Sequence, residues 1–269
     1  MFCAHPRMYL LSGRGTGYEK VFYPCGKCEV CLTNKHKDWN VRLLSELNYA
    51  KASFFVTLTY ADMYLPVTGS LNKRDVQLFF KRLRKNLDLK IKYYYCGEYG
   101  SETLRPHYHV ILFLYSDIPN DFYNKLRHIW SLGKIHLGQV TPESINYCLG
   151  YVKKMILRDE EIELREKPFQ FMSKGLGKQY VVDHESELAE KCYVTLKGSK
   201  RLLPRYWRKV SPLIDKAVTN KIEADKLKEA EINELRPKTV RENGINSLRP
   251  LQAEKNIKAR KALYKRKDL

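Results

Sequence analysis

The 269-residue chain contains no apolar run approaching the length of a bilayer span, and its opening stretch, MFCAHPRMYLLSGRG, lacks the uninterrupted apolar centre of a secretory signal. Neither a membrane-spanning nor an exported protein is expected, which leaves the cytoplasm as the compartment. No G-x-x-x-x-G-K-S/T loop occurs, so a fused nucleotide-driven helicase is not visible. Internal repeats and low-complexity blocks are absent as well. The seven cysteines are odd in number, and without an export signal they point to reduced thiols or metal ligands before a disulfide framework. Acidic residues are the scarce charge: 30 Asp and Glu face 49 Lys and Arg, a formal net charge of +19. Lys and Arg that neutralise phosphates release condensed counterions, so this balance favours a polyanion as partner. Nucleic acid leads, because anionic lipid would call for an amphipathic anchor or lipidation motif that the sequence does not offer.

What is present suffices for a core, with 43% hydrophobic residues. Trp39, Leu43, Leu47 and Ala50 repeat at helical spacing, and SFFVTLTY (Ser53 to Tyr60) then reads as a strand. Asn72 can cap a second helix with the stripe Val76, Phe79, Phe80 and Leu83, followed by the strand IKYYYCGEY. Glycine and proline in YGSETLRP predict a connection to HYHVILFLY, and two strands joined this way pair antiparallel. A third helix carries Phe122, Leu126, Ile129 and Trp130, and KIHLGQV follows as a short strand. Thr141-Pro142-Glu143 opens a fourth helix with an N-cap, a first-turn proline and an acid against the dipole. This order predicts an α+β fold, a central antiparallel sheet with flanking helices. From about Arg158 the pattern loosens, and beyond Pro212 a Lys-, Glu- and Ala-rich composition predicts a solvated helical tail. The expected division is a cysteine-rich segment over 1–35, the main domain over 36–210 and a basic extension over 211–269.

In RPHYHVILF, His107 and His109 share one face of the expected strand, because side chains alternate with period two. Glu98, near the end of the preceding strand, can complete a facial set of two imidazoles and one carboxylate with coordination positions left open. Such a set suits Mg²⁺ or Mn²⁺ acting as a Lewis acid on a phosphate. Taken alone, the histidine doublet serves equally as polar surface or as a hydrogen-bonded pair. In INYCLGYVKKMI, Ile145, Leu149, Val152 and Ile156 form a narrow apolar stripe, while Tyr147, Tyr151 and Lys154 cluster on the opposite side at about 100° per residue. A phenol, with a pKa of about 10, needs a cation or metal-bound phosphate to act as a nucleophile, and Lys154 is such a neighbour. The tyrosines can instead cover a second apolar surface.

Cys25, Cys28 and Cys31 recur with two residues between neighbours, and Cys3 supplies a fourth thiol; structural Zn²⁺ is the preferred occupant, with an iron–sulfur cluster or plain reduced thiols as alternatives. Cys96, Cys148 and Cys192 read as core, and His136 as structural. SKGLGKQY can hold a phosphate through backbone amides and Lys174 or Lys178. LPRYWRK pairs Arg205 and Arg208 with Tyr206 and Trp207, a mix that suits stacked bases and paired phosphates or a packed aromatic corner. The basic run from Lys255 to Lys267 can grip duplex flanks.

These segments resemble a known family. HYH matches the His-hydrophobic-His signature of the HUH endonucleases, with Tyr108 in the hydrophobic slot, and YCLGYVKK matches their two-tyrosine motif Y-x-x-x-Y-x-x-K. SFFVTLTY looks like the first of that family's three motifs, and the three stand in the family order. More narrowly, PCGKCEVCL, FFVTLTY, CGEYG, RPHYHVILF, NYCLGYVKK, PFxxMS and LPRYW, spread from Cys3 to about Val210, resemble the replication initiators of small single-stranded DNA bacteriophages of the microvirus group, gokushovirus type. The resemblance implies an RRM- or ferredoxin-like rolling-circle initiator that nicks one strand at the phage origin. It implies that His107, His109 and Glu98 bind the divalent ion. Tyr151, or Tyr147, attacks phosphorus to leave a 5′-phosphotyrosine and a 3′-hydroxyl, and Lys154 neutralises the scissile phosphate. Tyr147 has no lysine three residues on, so Tyr151 is the first choice. Thr57 and Thr59 of the first motif join Lys174, Lys178, Arg205 and Arg208 as residues expected at the DNA. The implied partners are single-stranded origin DNA and the host replication helicase or polymerase, in the cytoplasm of a bacterial host. Beside this stand a non-catalytic zinc-containing binder of single strands and a relaxase or single-strand transposase with the same chemistry.

Overall fold

The computed structural model describes residues 3–12, 18–154 and 165–234. The chain divides into two compact units, Lys35–Asp215 and Met1–Asn34 taken with Lys216–Leu269. In the latter, β1 (Arg7–Ser12) and β2 (Tyr18–Tyr23) form an antiparallel hairpin, and helix α1 (Glu29–Leu47) begins just after it. This hairpin was not expected from the sequence, where the cysteines dominated the reading of the first residues.

The larger unit takes up the rest of α1 and continues through β3 (Ala52–Thr59), α2 (Lys73–Leu87), β4 (Ile91–Tyr99), β5 (Pro106–Leu114), α3 (Phe122–Ile129), β6 (Ile135–Gln139) and α4 (Pro142–Lys154). It then adds β7 (Phe169–Met172), α5 (Lys178–Asp183), α6 (Glu185–Lys191), β8 (Tyr193–Leu196), β9 (Ser199–Leu202), α7 (Arg205–Val210) and the start of α8 (Pro212–Glu234). Five strands form one sheet in the order β6-β3-β5-β4-β7, every neighbouring pair antiparallel. The fold is thus α+β, a central antiparallel sheet flanked by helices. Strand β7 and the β8–β9 hairpin lie where the sequence showed no clean period. No helix among the described residues is long and apolar enough to cross a membrane.

Local chemistry explains why these segments take these forms. The Asn72 side chain accepts the Arg74 backbone N–H at 2.9 Å and starts α2, which buries Val76, Phe79, Phe80 and Leu83. Thr141 and Ser144 cap α4 reciprocally: the Ser144 N–H donates to Thr141 Oγ1 at 3.2 Å, and the Thr141 N–H donates to Ser144 Oγ at 2.8 Å. Just before β6, Gly133 passes so close to the end of β3 that a Cβ would stand 2.1 Å from the Thr59 carbonyl oxygen. Only glycine lets β6 reach its register there.

Alternation along the strands separates two faces. One buries Val56, Leu58, Tyr95, Tyr108, Val110, Leu112 and Leu114 beneath α2 and α3 as the main core. The other carries Thr57, Thr59, Cys96, Glu98, His107 and His109, and α4 packs on it against β4 and β5. Each large apolar side chain withdrawn from water on the first face contributes about 1.5–3 kcal/mol, so the sheet does not depend on the second for its stability.

Candidate active site and metal centre

Register decides which polar side chains meet. His107 lies across from Glu98 on one side and Thr59 on the other, while His109 lies across from Cys96 and Thr57. The imidazole of His109 is engaged at both nitrogens: Glu98 Oε1 stands 2.7 Å from Nε2, and Thr57 Oγ1 stands 3.1 Å from Nδ1. Phe55 stacks on the ring at 5.6 Å between centroids, and Tyr147 meets it edge-on at 5.3 Å. His109 and Glu98 are both buried.

His107 is half-buried, and Gly100 leaves room for its ring, since a Cβ there would come within 3.0 Å of His107 Cε1. Burial pushes His107 below the usual imidazole range, against the opposing pull of Glu98, and so favours the neutral form that ligates metals. Its nitrogens do not join the His109–Glu98 pair in a tight set. Among the described residues the four clustered cysteines are the one such group whose donor atoms all lie within 4.8 Å of one another. The carboxylate of Glu98 is therefore closed on the second histidine, not on the first.

Two cis ligands of an octahedral Mg²⁺, each about 2.1 Å from the ion, stand about 3 Å apart. The 2.7 Å pair of His109 Nε2 and Glu98 Oε1 is close to that spacing. Because Thr57 holds Nδ1, Nε2 is the nitrogen presented to an ion. The donor set fits a divalent cation, with His107 reaching it by rotation of its side chain.

Helix α4 brings Tyr147 to this face while burying Ile145, Cys148 and Leu149. Tyr147 is 52% exposed, so its ring touches His109 with much of its surface still open to solvent. Cys148 Sγ lies 3.4 Å from Cys96 Sγ, and Asn146 Oδ1 accepts from Asn40 Nδ2 of α1 at 2.7 Å. Tyr151 and Lys154 belong to the last turn of α4. Their side chains, and that of Val152, lie outside the described residues, as do Ile156 and the basic run from Lys255 to Lys267.

The other candidates divide. Thr59 donates to the Lys134 carbonyl at 3.4 Å, and Thr57 is held by His109. Lys174, Lys178 and Arg205 are exposed. Arg208 donates from Nε to Asp215 at 2.6 Å. Trp207 is buried and stacks on Tyr180, and Arg42 lies 3.9 Å over the ring of Trp39 and 4.0 Å over that of Tyr206, so this stretch is largely the packed aromatic corner. In the glycine loop the Gly177 amide donates to the buried carboxylate of Glu46, which also takes Lys92 at 2.6 Å. The anion held by that loop is the protein's own. Cys192 is only half-buried, unlike Cys96 and Cys148. His136, read as structural, is exposed and sits across from Thr57 on the same sheet face.

In the other unit, Cys3 and Cys28 bring their sulfurs to 3.8 Å and Cys25 and Cys31 to 3.9 Å. Four thiolates about 2.3 Å from a tetrahedral Zn²⁺ stand about 3.8 Å apart, so the spacing fits a metal such as zinc. The backbone amides of Cys28 and Lys27 hold the Cys25 thiol down to about 6, while burial pushes Cys31 up to about 12. One sulfur is thus poised as an anion before any ion arrives.

The architecture and site define an α+β protein with a histidine–carboxylate pair on one sheet face and a tyrosine-bearing helix against it. Residues 53–156, from β3 to the helix end, match the family described as replication-associated protein of the ORF2 type. The chain is 30% identical over 215 residues to replication-associated protein ORF2 of Spiroplasma virus 4, covering 68% of this chain and 66% of that protein. It is 29% identical over 209 residues to replication-associated protein VP4 of Bdellovibrio phage phiMH2K, covering 69% and 66%. To replication-associated protein ORF4 of Chlamydia phage 1 it is 26% identical over 228 residues, covering 75% and 56%. The chain thus spans about two thirds of the length of the first two relatives and little over half of the third. No solved structure matches it. The chain belongs to this family of replication-associated proteins, in keeping with the phage replication resemblance read from its motifs.

Proposed function

We propose that the chain is a phage rolling-circle replication initiator that nicks single-stranded origin DNA by tyrosine attack in the cytoplasm of the bacterial host. The observation that carries this reading is the His109–Glu98 pair, opposite His107 in register and in ring contact with a half-exposed tyrosine from α4. His107, His109 and Glu98 would hold Mg²⁺ or Mn²⁺, which when bound supplies Lewis-acid polarisation of the scissile phosphate. The phenol oxygen of Tyr151 or Tyr147 forms the new bond to phosphorus and gives its proton to solvent. The bond from phosphorus to the 3′-oxygen breaks, and that oxygen takes a proton from solvent to leave as the hydroxyl that primes synthesis. Lys154 neutralises the phosphate during the exchange. Two tyrosines allow a second transfer that closes the displaced strand. Lys174, Lys178 and Arg205 are placed to pair with backbone phosphates, and host helicase or polymerase would act on the freed end.

The test is a covalent adduct between the full chain and its single-stranded origin DNA in Mn²⁺. Tyr147→Phe with Tyr151→Phe abolishes the adduct and leaves binding intact; nicking at the wild-type rate by that double variant would refute the nucleophile assignment. His109→Ala removes nicking while salt-sensitive binding persists. Equal loss of both would instead favour a non-catalytic binder of single strands.

The four cysteines would hold one structural Zn²⁺ in the N-terminal unit. Elemental analysis of purified protein should find one zinc per chain, absent from a Cys28→Ser, Cys31→Ser variant; equal zinc in both would exclude these ligands.

A further inference from the structure

We infer that Thr57 is a positioning residue for His109, its hydroxyl serving as a partner able both to donate and to accept while the imidazole changes tautomer between its metal-free and metal-bound states. This rests on the metal reading proposed above and adds a residue outside the ligand set.

The argument is one of proton placement. An ionised carboxylate only accepts hydrogen bonds, so when Glu98 Oε1 stands 2.7 Å from His109 Nε2 the hydrogen between them sits on Nε2. In a neutral imidazole Nδ1 is then an acceptor, and Thr57 Oγ1, 3.1 Å away, donates to it. As a metal ligand the same ring must offer the lone pair of Nε2. Its hydrogen then sits on Nδ1, and Thr57 must accept. One proton leaves Nε2 for solvent, one is taken up at Nδ1, and the hydroxyl turns its own hydrogen away, so the charge of the ring is unchanged. A backbone carbonyl at that place would serve only the second state; a hydroxyl serves both.

The surroundings leave the ring little other freedom. Phe55 covers one flat side, Tyr147 meets the ring edge-on, and the side chain of His109 is 9% exposed. Thr57 is itself β-branched and therefore stiff about its first side-chain bond, and it stands directly across the strand pair from His109. Thr59, two residues on in the same motif, sends its hydroxyl to a backbone carbonyl instead. The two threonines share a sheet face and differ in role.

The experiment measures Mn²⁺ affinity of the full chain without DNA, by calorimetry or electron paramagnetic resonance, for wild type, Thr57→Val, Thr57→Ser and His109→Ala. Removal of a partner behind a metal-bound histidine weakens metal binding about 10–100-fold. Thr57→Val should show that loss, and Thr57→Ser, which keeps the hydroxyl, should stay close to wild type. Nitrogen NMR of His109 should show the hydrogen moving from Nε2 to Nδ1 when Mg²⁺ is added. Wild-type affinity in Thr57→Val, or equal losses in the valine and serine variants, overturns the positioning role while the metal reading stands. Binding that His109→Ala leaves unchanged overturns the metal reading and this inference with it.

Discussion

Strand β5 presents two different chemistries from alternate positions of nine residues. Tyr108, Val110, Leu112 and Leu114 face a dry core closed by α2 and α3, where rings pack as tightly as Phe80 on Tyr93, 3.7 Å between centroids. His107 and His109 face a layer in which side chains are held by pairwise hydrogen bonds. The first face is redundant: many apolar neighbours share the burial, and none has a unique partner. The second is specific, since each polar group there has one or two named partners and a buried carboxylate among them. A fold can therefore carry costly polar groups on one side of a sheet when the other side already holds it together.

The largest effect that sharpens this contrast is on stability. Phe80→Ala removes a fully buried ring from the dry face and should cost about 3–5 kcal/mol in a denaturant titration. Glu98→Gln keeps the shape and a hydrogen-bonding oxygen toward His109 while removing a buried charge, an exchange that is often neutral or stabilising. It should shift stability by less than about 1 kcal/mol and yet remove Mn²⁺ binding at this site. If Glu98→Gln destabilised as much as Phe80→Ala, the polar face would be part of the scaffold and the contrast would fail.

The dry face was legible because periodicity alone reports it: Asn72 as cap, the stripe from Val76 to Leu83 and the strand over Ile91–Tyr99 all follow from local spacing. The polar face was legible only in its residue types. Counting along β4 and β5 places Glu98 beside the histidines, but it does not say which imidazole the carboxylate closes on, because that depends on side-chain rotation. The bond from Thr57 to His109 was invisible for a related reason, since it joins strands 52 residues apart and needs the register of both. His136 likewise lies across from Thr57 only once β6 is known to be the sheet edge beside β3. Strand β7 escaped because four residues, FQFM, are too few for a period to show; its pairing with β4 is what makes it a strand. The N-terminal hairpin was hidden by the cysteines around it, although its residues alternate well enough.

Tyr108 tests whether the two faces are independent, with the smallest expected effect on the site. It sits between the two histidines in sequence but points into the core, where its hydroxyl accepts the Asn72 N–H at 2.7 Å and pairs with the Tyr60 hydroxyl at 3.0 Å. Tyr60 in turn donates to Asp75 at 2.6 Å, so this phenol ties the start of α2 to the strand that carries His107 and His109. Tyr108→Phe leaves a buried N–H without its partner and should lower stability by about 1–3 kcal/mol. The hydroxyl lies on the core side of the sheet, away from the donor atoms of the site, so Mn²⁺ affinity should stay at the wild-type value when measured well below the melting temperature. A fall in both would mean that the backbone of β5 transmits the strain from one face to the other, and that the core tyrosine helps to aim the histidines on either side of it.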